Sequence, residues 1–150
     1  MYKINLNLDL LKIIPFANHI GVQAHDSTTL ELETQRSVHN HVETIHAAAQ
    51  FTLAETQSGL FLLSLFSDYA DEMIPLLRSS TVKYKNPATT KLTAEARVNE
   101  EDKSKFEKQL LKRGRAMLSV EVELKDNKGV VTMVGTFGWY VQRTACTSTL

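Results

Sequence analysis

The segment from Thr44 to Ser67 constrains the fold more than any other part of the chain. It holds one formally charged residue, Glu55, and one further titratable group, His46. Alanine, leucine and phenylalanine recur on every side of a helical wheel, from Ala47, Ala48 and Ala49 through Phe51, Leu53 and Ala54 to Leu60–Leu63, Leu65 and Phe66. Such residues favour helix, and a helix that is apolar all round must be enclosed by other elements. Gln50, Thr52, Gln57 and Ser58 interrupt the apolarity, and no run of 18 apolar residues occurs, which argues against a membrane span. The sequence predicts a long helix buried in a core, with the Thr44 hydroxyl as N-cap.

The rest of the chain has to supply the enclosure. With 150 residues, 43% of them hydrophobic and 23% charged, it matches one globular domain over 1–150. A helical segment is expected within 1–18 and a tail over 143–150. Leu10, Leu11 and Ile14 suggest a short amphipathic helix over Leu8–Ile14, limited by Pro15. Val22 and Ala24 alternate, Asp26-Ser27 offers a turn, and Leu30 and Leu32 alternate with Glu31 and Glu33, which reads as strand, turn, strand. After the central helix, period-two alternation marks Val82–Tyr84, Leu92–Val98, Ala116–Leu124 and Val130–Gln142. Asp126-Asn127-Lys128-Gly129 is a turn between the last two. A surface helix lies before them. Asn99 caps it, acids at 100–102 and bases at Lys112 and Arg113 suit its dipole, and Gly114 ends it, with Phe106 and Leu110 facing inward. An antiparallel sheet with helices to one side is an α+β layout.

Charge and cysteine content remove several function classes. Lys plus Arg and Asp plus Glu are both 17, so nothing recommends a nucleic acid or an anionic membrane surface as partner. Cys146 is the single cysteine, which rules out a disulfide within one chain and argues against a cysteine zinc site. Met1-Tyr2-Lys3-Ile4-Asn5 lacks a signal-peptide pattern, and a cytoplasmic location is expected.

The run from Asn40 to Glu55, with Asn40 in the loop, then Thr44-Ile45-His46-Ala47-Ala48, then Leu53-Ala54-Glu55, resembles the signature of hotdog-fold thioesterases. The pattern is nearest to the phenylacetyl-CoA thioesterase-like branch. Tyr84-Lys85-Asn86-Pro87-Ala88 is similar to the "Y-x-x-P-A" strand opening of that family, and Gly114-Arg115-Ala116 fits as well. The resemblance covers roughly residues 20 to 142. It implies a hotdog fold, a long central helix wrapped by a curved antiparallel sheet, and a homo-oligomer, either a dimer or a dimer of dimers. It implies acyl-CoA thioester hydrolysis at a subunit interface, with coenzyme A entering only as part of the substrate. The residues it points to are Glu55, Asn40 and Ala47 for catalysis. For binding it points to Thr44, His46, Ala48, Ser58 and Gly59, with Lys85, Arg113 and Arg115 near the phosphates.

The chemistry asks for the same groups. Thioester hydrolysis builds negative charge on the carbonyl oxygen, and a helix N-terminus supplies unpaired N–H groups and the positive end of a dipole. The donor here is the N–H of Ala47 or a neighbour, and the small side chains of Ala47 and Ala48 let an acyl group approach the backbone. A carboxylate such as Glu55 positions or activates the attacking group. Glu55 is eight residues beyond Ala47, about 12 Å along a helix. If both act on one carbonyl, Glu55 must come from a partner subunit. Asn40 then orients water or substrate.

This chain departs from the family at several points. Ala47-Ala48 stands where relatives have Gly-Gly, Glu55 where several have Asp, and the assisting Ser or Thr of some relatives has only Ser79 and Ser80 as nearby counterparts. Each candidate also has a plainer reading. Glu55 can face solvent, His46 can be a helix-start hydrogen-bonding residue, Asn40 a turn residue, and the basic side chains simple solvation. His39 and His41 lack a third metal ligand. Trp139 and Tyr140 read as sheet packing or a subunit contact. Two other functions stay open: an acyl-group binding module without turnover, and a hydroxyacyl thioester dehydratase using His41 and Glu55.

Overall fold

The computed structural model describes residues 3–144. Cys146 and most of the C-terminal tail lie outside these residues.

Two short helices open the chain, α1 (Asp9–Lys12) and α2 (Pro15–Ile20). Pro15 does not simply limit the first helix. It occupies N1 of the second, where its missing N–H costs nothing and its fixed φ suits the first turn. Gly21, with φ 93°, ends α2 in the left-handed region. Strands β1 (Val22–Ala24) and β2 (Leu30–Leu32) follow as an antiparallel pair. Asp26 makes their turn: its Oδ1 accepts from the N–H groups of Thr28 and Thr29 and from the Thr28 hydroxyl.

The central helix, α3, runs Ala47–Leu65. It starts two residues later than the sequence suggests, and its N-cap is His46 rather than Thr44. The His46 Nδ1 accepts the Ala48 N–H at 2.9 Å. Thr44 is spent elsewhere: its Oγ1 accepts from Asn40 Nδ2 at 2.8 Å, within the preceding loop.

After a 3₁₀ segment at Ser67–Glu72, four strands complete the sheet: β3 (Met73–Tyr84), β4 (Leu92–Arg97), β5 (Arg115–Lys125) and β6 (Val131–Arg143). Helix α4 (Glu100–Arg113) intervenes. Asn99 Oδ1 accepts from Glu101 and Asp102 N–H at its start, Gly114 caps its end at φ 72°, and Phe106 and Leu110 are buried, as its end signals indicate. The sheet order is β1-β2-β4-β5-β6-β3, all antiparallel. Strand β3 begins nine residues earlier than Val82. Pro75 obscures it in the sequence, yet among the described residues β3 pairs only with β6, and an edge strand tolerates a residue without an N–H.

The sheet curls around α3 in the hotdog arrangement. Leu53 and Leu62 of the helix are fully buried, as are Leu30, Leu92, Leu124, Met133 and Phe137 of the sheet. Two polar side chains fix the helix's rotation. Gln57 is fully buried and completes the edge of β2, its Oε1 accepting from Leu30 N–H at 2.8 Å and its Nε2 donating to Thr28 C=O at 3.0 Å. Ser58 Oγ accepts from Trp139 Nε1 at 2.9 Å and donates to the Glu55 carbonyl at 2.7 Å. Satisfied buried groups of this kind set register, because turning the helix would strand each of them without a partner.

Candidate functional site at the start of the buried helix

A tight loop delivers the chain to α3. Asn40 organises it: Oδ1 accepts the N–H groups of Val42 and Thr44, both at 3.0 Å, while Nδ2 donates to Thr44 Oγ1. Glu43 at its tip has φ 62°, a left-handed conformation that costs a side-chain-bearing residue energy and is held by these bonds. The Asn40 carbonyl oxygen is therefore committed to the loop, and only one amide hydrogen is left for anything else.

The first turn of α3 carries the donors. Ala48 N–H goes to His46 Nδ1, and the N–H groups of Ala49 and Gln50 both go to His46 C=O. The Ala47 N–H alone in this turn has no partner among the described residues. His46, Ala47 and Ala48 are exposed. The arrangement leaves one backbone donor, at the positive end of a 19-residue helix, open to an incoming oxygen.

Sequence reasoning missed one group here. Tyr84, the last residue of β3, donates its hydroxyl to the Ala47 carbonyl at 3.1 Å. Burial raises its pKa, which keeps the phenol protonated. The signal was present in the "Y-x-x-P-A" run, but no spacing rule connects a residue to a helix 37 positions earlier.

Farther along α3, Phe51, Glu55 and Gly59 follow Ala47 at i+4 intervals and form a half-exposed stripe. Glu55 makes no side-chain hydrogen bond or ion pair among the described residues, and desolvation pushes its pKa up. Phe51 meets Phe137 edge-on at 5.5 Å. Gly59 leaves room for Trp139, whose ring would stand 3.1 Å from an added Cβ. Ser58 is fully buried, with its hydroxyl engaged by Trp139 and the Glu55 carbonyl, so it supports the stripe from below rather than lining it.

The basic candidates divide. Exposed Lys85 directly follows Tyr84 and so lies at the Ala47 end. Arg113 and Arg115 are also exposed, but Arg115 pairs with Gln142, which pairs with Ile74, whereas Tyr84 pairs with Met133. Ten residues of β3 separate the two ends, roughly 33 Å of strand. One protomer does not bring Arg113 and Arg115 to Ala47. His39 Nε2 lies 2.7 Å from Thr34 Oγ1, and among the described residues no three histidine, cysteine or acidic side chains gather as for a metal. No helix among them is long and apolar enough to cross a membrane.

Solved structures share this architecture. A protein of unknown function from Pseudomonas aeruginosa, described as a probable thioesterase, superposes with a TM-score of 0.77 at 24% identity, over 95% of this chain and 99% of its own. A thioesterase from Haemophilus influenzae gives 0.72 at 14%, over 95% and 92%. A Bacillus halodurans protein solved with CoA gives 0.66 at 18%, over 84% and 74%. No curated protein sequence matches the chain. A family model, the domain of unknown function DUF4442, matches residues 13–141. The chain therefore belongs to the DUF4442 family, and its fold is the one that these solved structures share.

Proposed function

We propose that this protein hydrolyses acyl thioesters, acyl-CoA esters in particular, as a homo-oligomer. The observation that carries the reading is the pair of unsatisfied groups on one face of α3: the open Ala47 N–H and the half-buried, unpaired Glu55 carboxyl. The exposed Ala47 N–H is free for a ligand oxygen, and a half-buried carboxyl without a cation marks a candidate functional group. The solved relatives described as thioesterases, and the one holding CoA, favour the same chemistry.

The thioester carbonyl oxygen lies at the Ala47 N–H. The partner subunit's Glu55 takes a proton from water, the resulting hydroxide adds to the carbonyl carbon, and the oxyanion is held by the helix N-terminus. Collapse breaks the carbon–sulfur bond. The thiolate leaves with the proton that Glu55 accepted, and the products are a free acid and a thiol. Two subunits are needed because eight residues of helix put the two groups about 12 Å apart within one chain.

The edge of β3, unpaired among the described residues, supports the assembly, since a long free edge invites a second strand. Twofold pairing along β3 runs the strands antiparallel and sets the Ile74 end of one protomer beside the Tyr84 end of the other. The partner subunit's Arg113 and Arg115 then approach the end that holds Lys85, and together they meet the coenzyme A phosphates.

Thiol release from short, long and aromatic acyl-CoA esters tests the reading, with the Glu55→Gln variant alongside. Turnover that falls about 10²-fold or more in the variant supports it. A folded, oligomeric protein that turns over none of the esters, while still binding one, would leave the binding module in its place.

A further inference from the structure

The half-exposed stripe of α3 has a centre. Ala47 and Glu55 lie about 12 Å apart along the helix and about 80° around it, and Phe51 stands halfway between them in both height and direction. A twofold axis that sets Ala47 opposite the partner subunit's Glu55 also sets Glu55 opposite the partner subunit's Ala47, so it passes through the midpoint. Phe51 then meets the partner subunit's Phe51 on the axis, with one reaction site to either side of the pair. A helical side chain leans toward the N-terminus of its helix, so each Phe51 ring closes on the Ala47 of its own chain.

The Phe51 ring has little freedom to retreat. It meets the Phe137 ring edge-on at 5.5 Å. Phe137 is fully buried and backed closely by Gly135, on which a Cβ would come within 2.8 Å of the ring. The other direction from Ala47 is open. Trp139 Nε1 donates to Ser58 Oγ and Trp139 pairs with Leu77, whereas the Tyr84 hydroxyl donates to Ala47 C=O. Strand β3 thus runs antiparallel to α3 and carries Lys85 past the Ala47 end, away from Phe51. The partner subunit's Gly59, without a side chain, falls on that outer side too. A thioester with its carbonyl at Ala47 therefore sends its coenzyme A arm outward past Lys85 and its acyl chain toward Phe51.

We propose that Phe51 determines specificity at this site, a role that rests on the thioesterase reading: it ends the acyl pocket and limits the substrate to a short straight chain. Four residues of helix give about 6 Å from Ala47 to Phe51. At bonds of about 1.5 Å, a zigzag chain fills that length with roughly four carbons beyond the carbonyl. A longer chain has to displace a ring packed against the closed core.

Calorimetric titration of the full chain with S-(2-oxoalkyl)-CoA thioethers, which keep the carbonyl and cannot be hydrolysed, tests it. The matching acyl-CoA esters supply kcat/KM. Affinity should rise about fourfold per methylene up to roughly five acyl carbons, as each leaves water. It should then fall about tenfold or more by the octanoyl analogue, where the chain overpacks the pocket. Phe51→Ala should raise the octanoyl-to-acetyl ratio, in affinity and in kcat/KM, about tenfold or more over the parent. Phe51→Leu keeps an apolar contact with Phe137, should move the limit by fewer carbons, and decides if Phe51→Ala does not assemble. Affinity that climbs unbroken to the decanoyl analogue in the parent overturns the proposal. So does a limit that neither variant moves, and so does an equal loss at every chain length, which would make Phe51 a packing residue only. A short-chain limit set by Phe51 without turnover keeps the proposal and removes hydrolysis, whereas turnover indifferent to chain length does the reverse. No binding of any analogue overturns both.

Discussion

The Tyr84 hydroxyl donates to the Ala47 carbonyl oxygen at 3.1 Å, tying the end of the edge strand β3 to the first residue of the buried helix. The Ala47–Ala48 peptide is thereby held at both ends, its C=O by Tyr84 and its N–H by His46 Nδ1. The open donor of the proposed oxyanion site is the very next N–H toward the N-terminus. Tyr84→Phe removes one hydrogen bond, worth about 0.5–1.5 kcal/mol. The expected outcome in steady-state kinetics is a kcat roughly fivefold lower with KM little changed. A rise in KM at constant kcat would assign Tyr84 to substrate binding instead.

Glu55 predicts a pH signature in stability as well as in activity. Desolvation raises its pKa in the folded state, so folding favours the protonated carboxyl. That contribution is fully present below the unfolded pKa and is lost as pH rises through the folded one. Glu55→Gln, which cannot ionise, should melt higher than the parent at pH 7, and the difference should vanish near pH 4. Thermal denaturation at the two pH values decides. A variant that melts lower at pH 7 would mean that the carboxylate is stabilised in the assembled protein by a cation from another subunit.

Asp26 acts with the opposite sign. The backbone N–H of Thr28, followed by further bonds from Thr28 and Thr29, lowers its pKa from 3.8 to about 2. Its contribution is present above the unfolded pKa and is lost as pH falls through the folded value, so the window is about pH 4 to 2. Asp26→Ala should flatten the acid limb of the stability curve in that window. An unchanged limb would show that other carboxylates govern acid unfolding.

Gly135 is a packing requirement. A Cβ there would lie 2.8 Å from the ring of Phe137, which is fully buried, and 3.0 Å from Val82. The Phe137 ring is enclosed and has little room to give, so Gly135→Ala should cost about 1–3 kcal/mol in denaturant unfolding, typical of an overpacked core. Gly138→Ala is the control. Its Cβ meets chiefly the Ser79 hydroxyl, which can rotate away, so its cost should be smaller.

Much of this architecture is written in local patterns. The nearly uncharged run from Ala47 to Leu65 could only be an enclosed helix, because that much apolar surface has no other stable place. Asn99 and Gly114 mark the ends of α4 because capping is decided by the backbone groups immediately beside them. Thr44 and His46 show the limit of such reasoning. Both can cap a helix, and the choice fell to His46 because Asn40 had already drawn the Thr44 hydroxyl into the loop.

Sequence alone determined the order of the strands and of the two longer helices, the burial of α3 and the isolation of Glu55, since each depends on residue type and short-range spacing. Tertiary structure decided which donors stay open and which groups meet. It left Ala47 N–H unpaired while its neighbours were satisfied, brought Tyr84 to Ala47, placed Trp139 on Ser58, and set Arg113 and Arg115 at the far end of the sheet. These relationships join residues distant in the chain through strand register and helix rotation. Register and rotation are fixed by the packing of the whole core around Gln57, Ser58 and Trp139, and no local pattern encodes them.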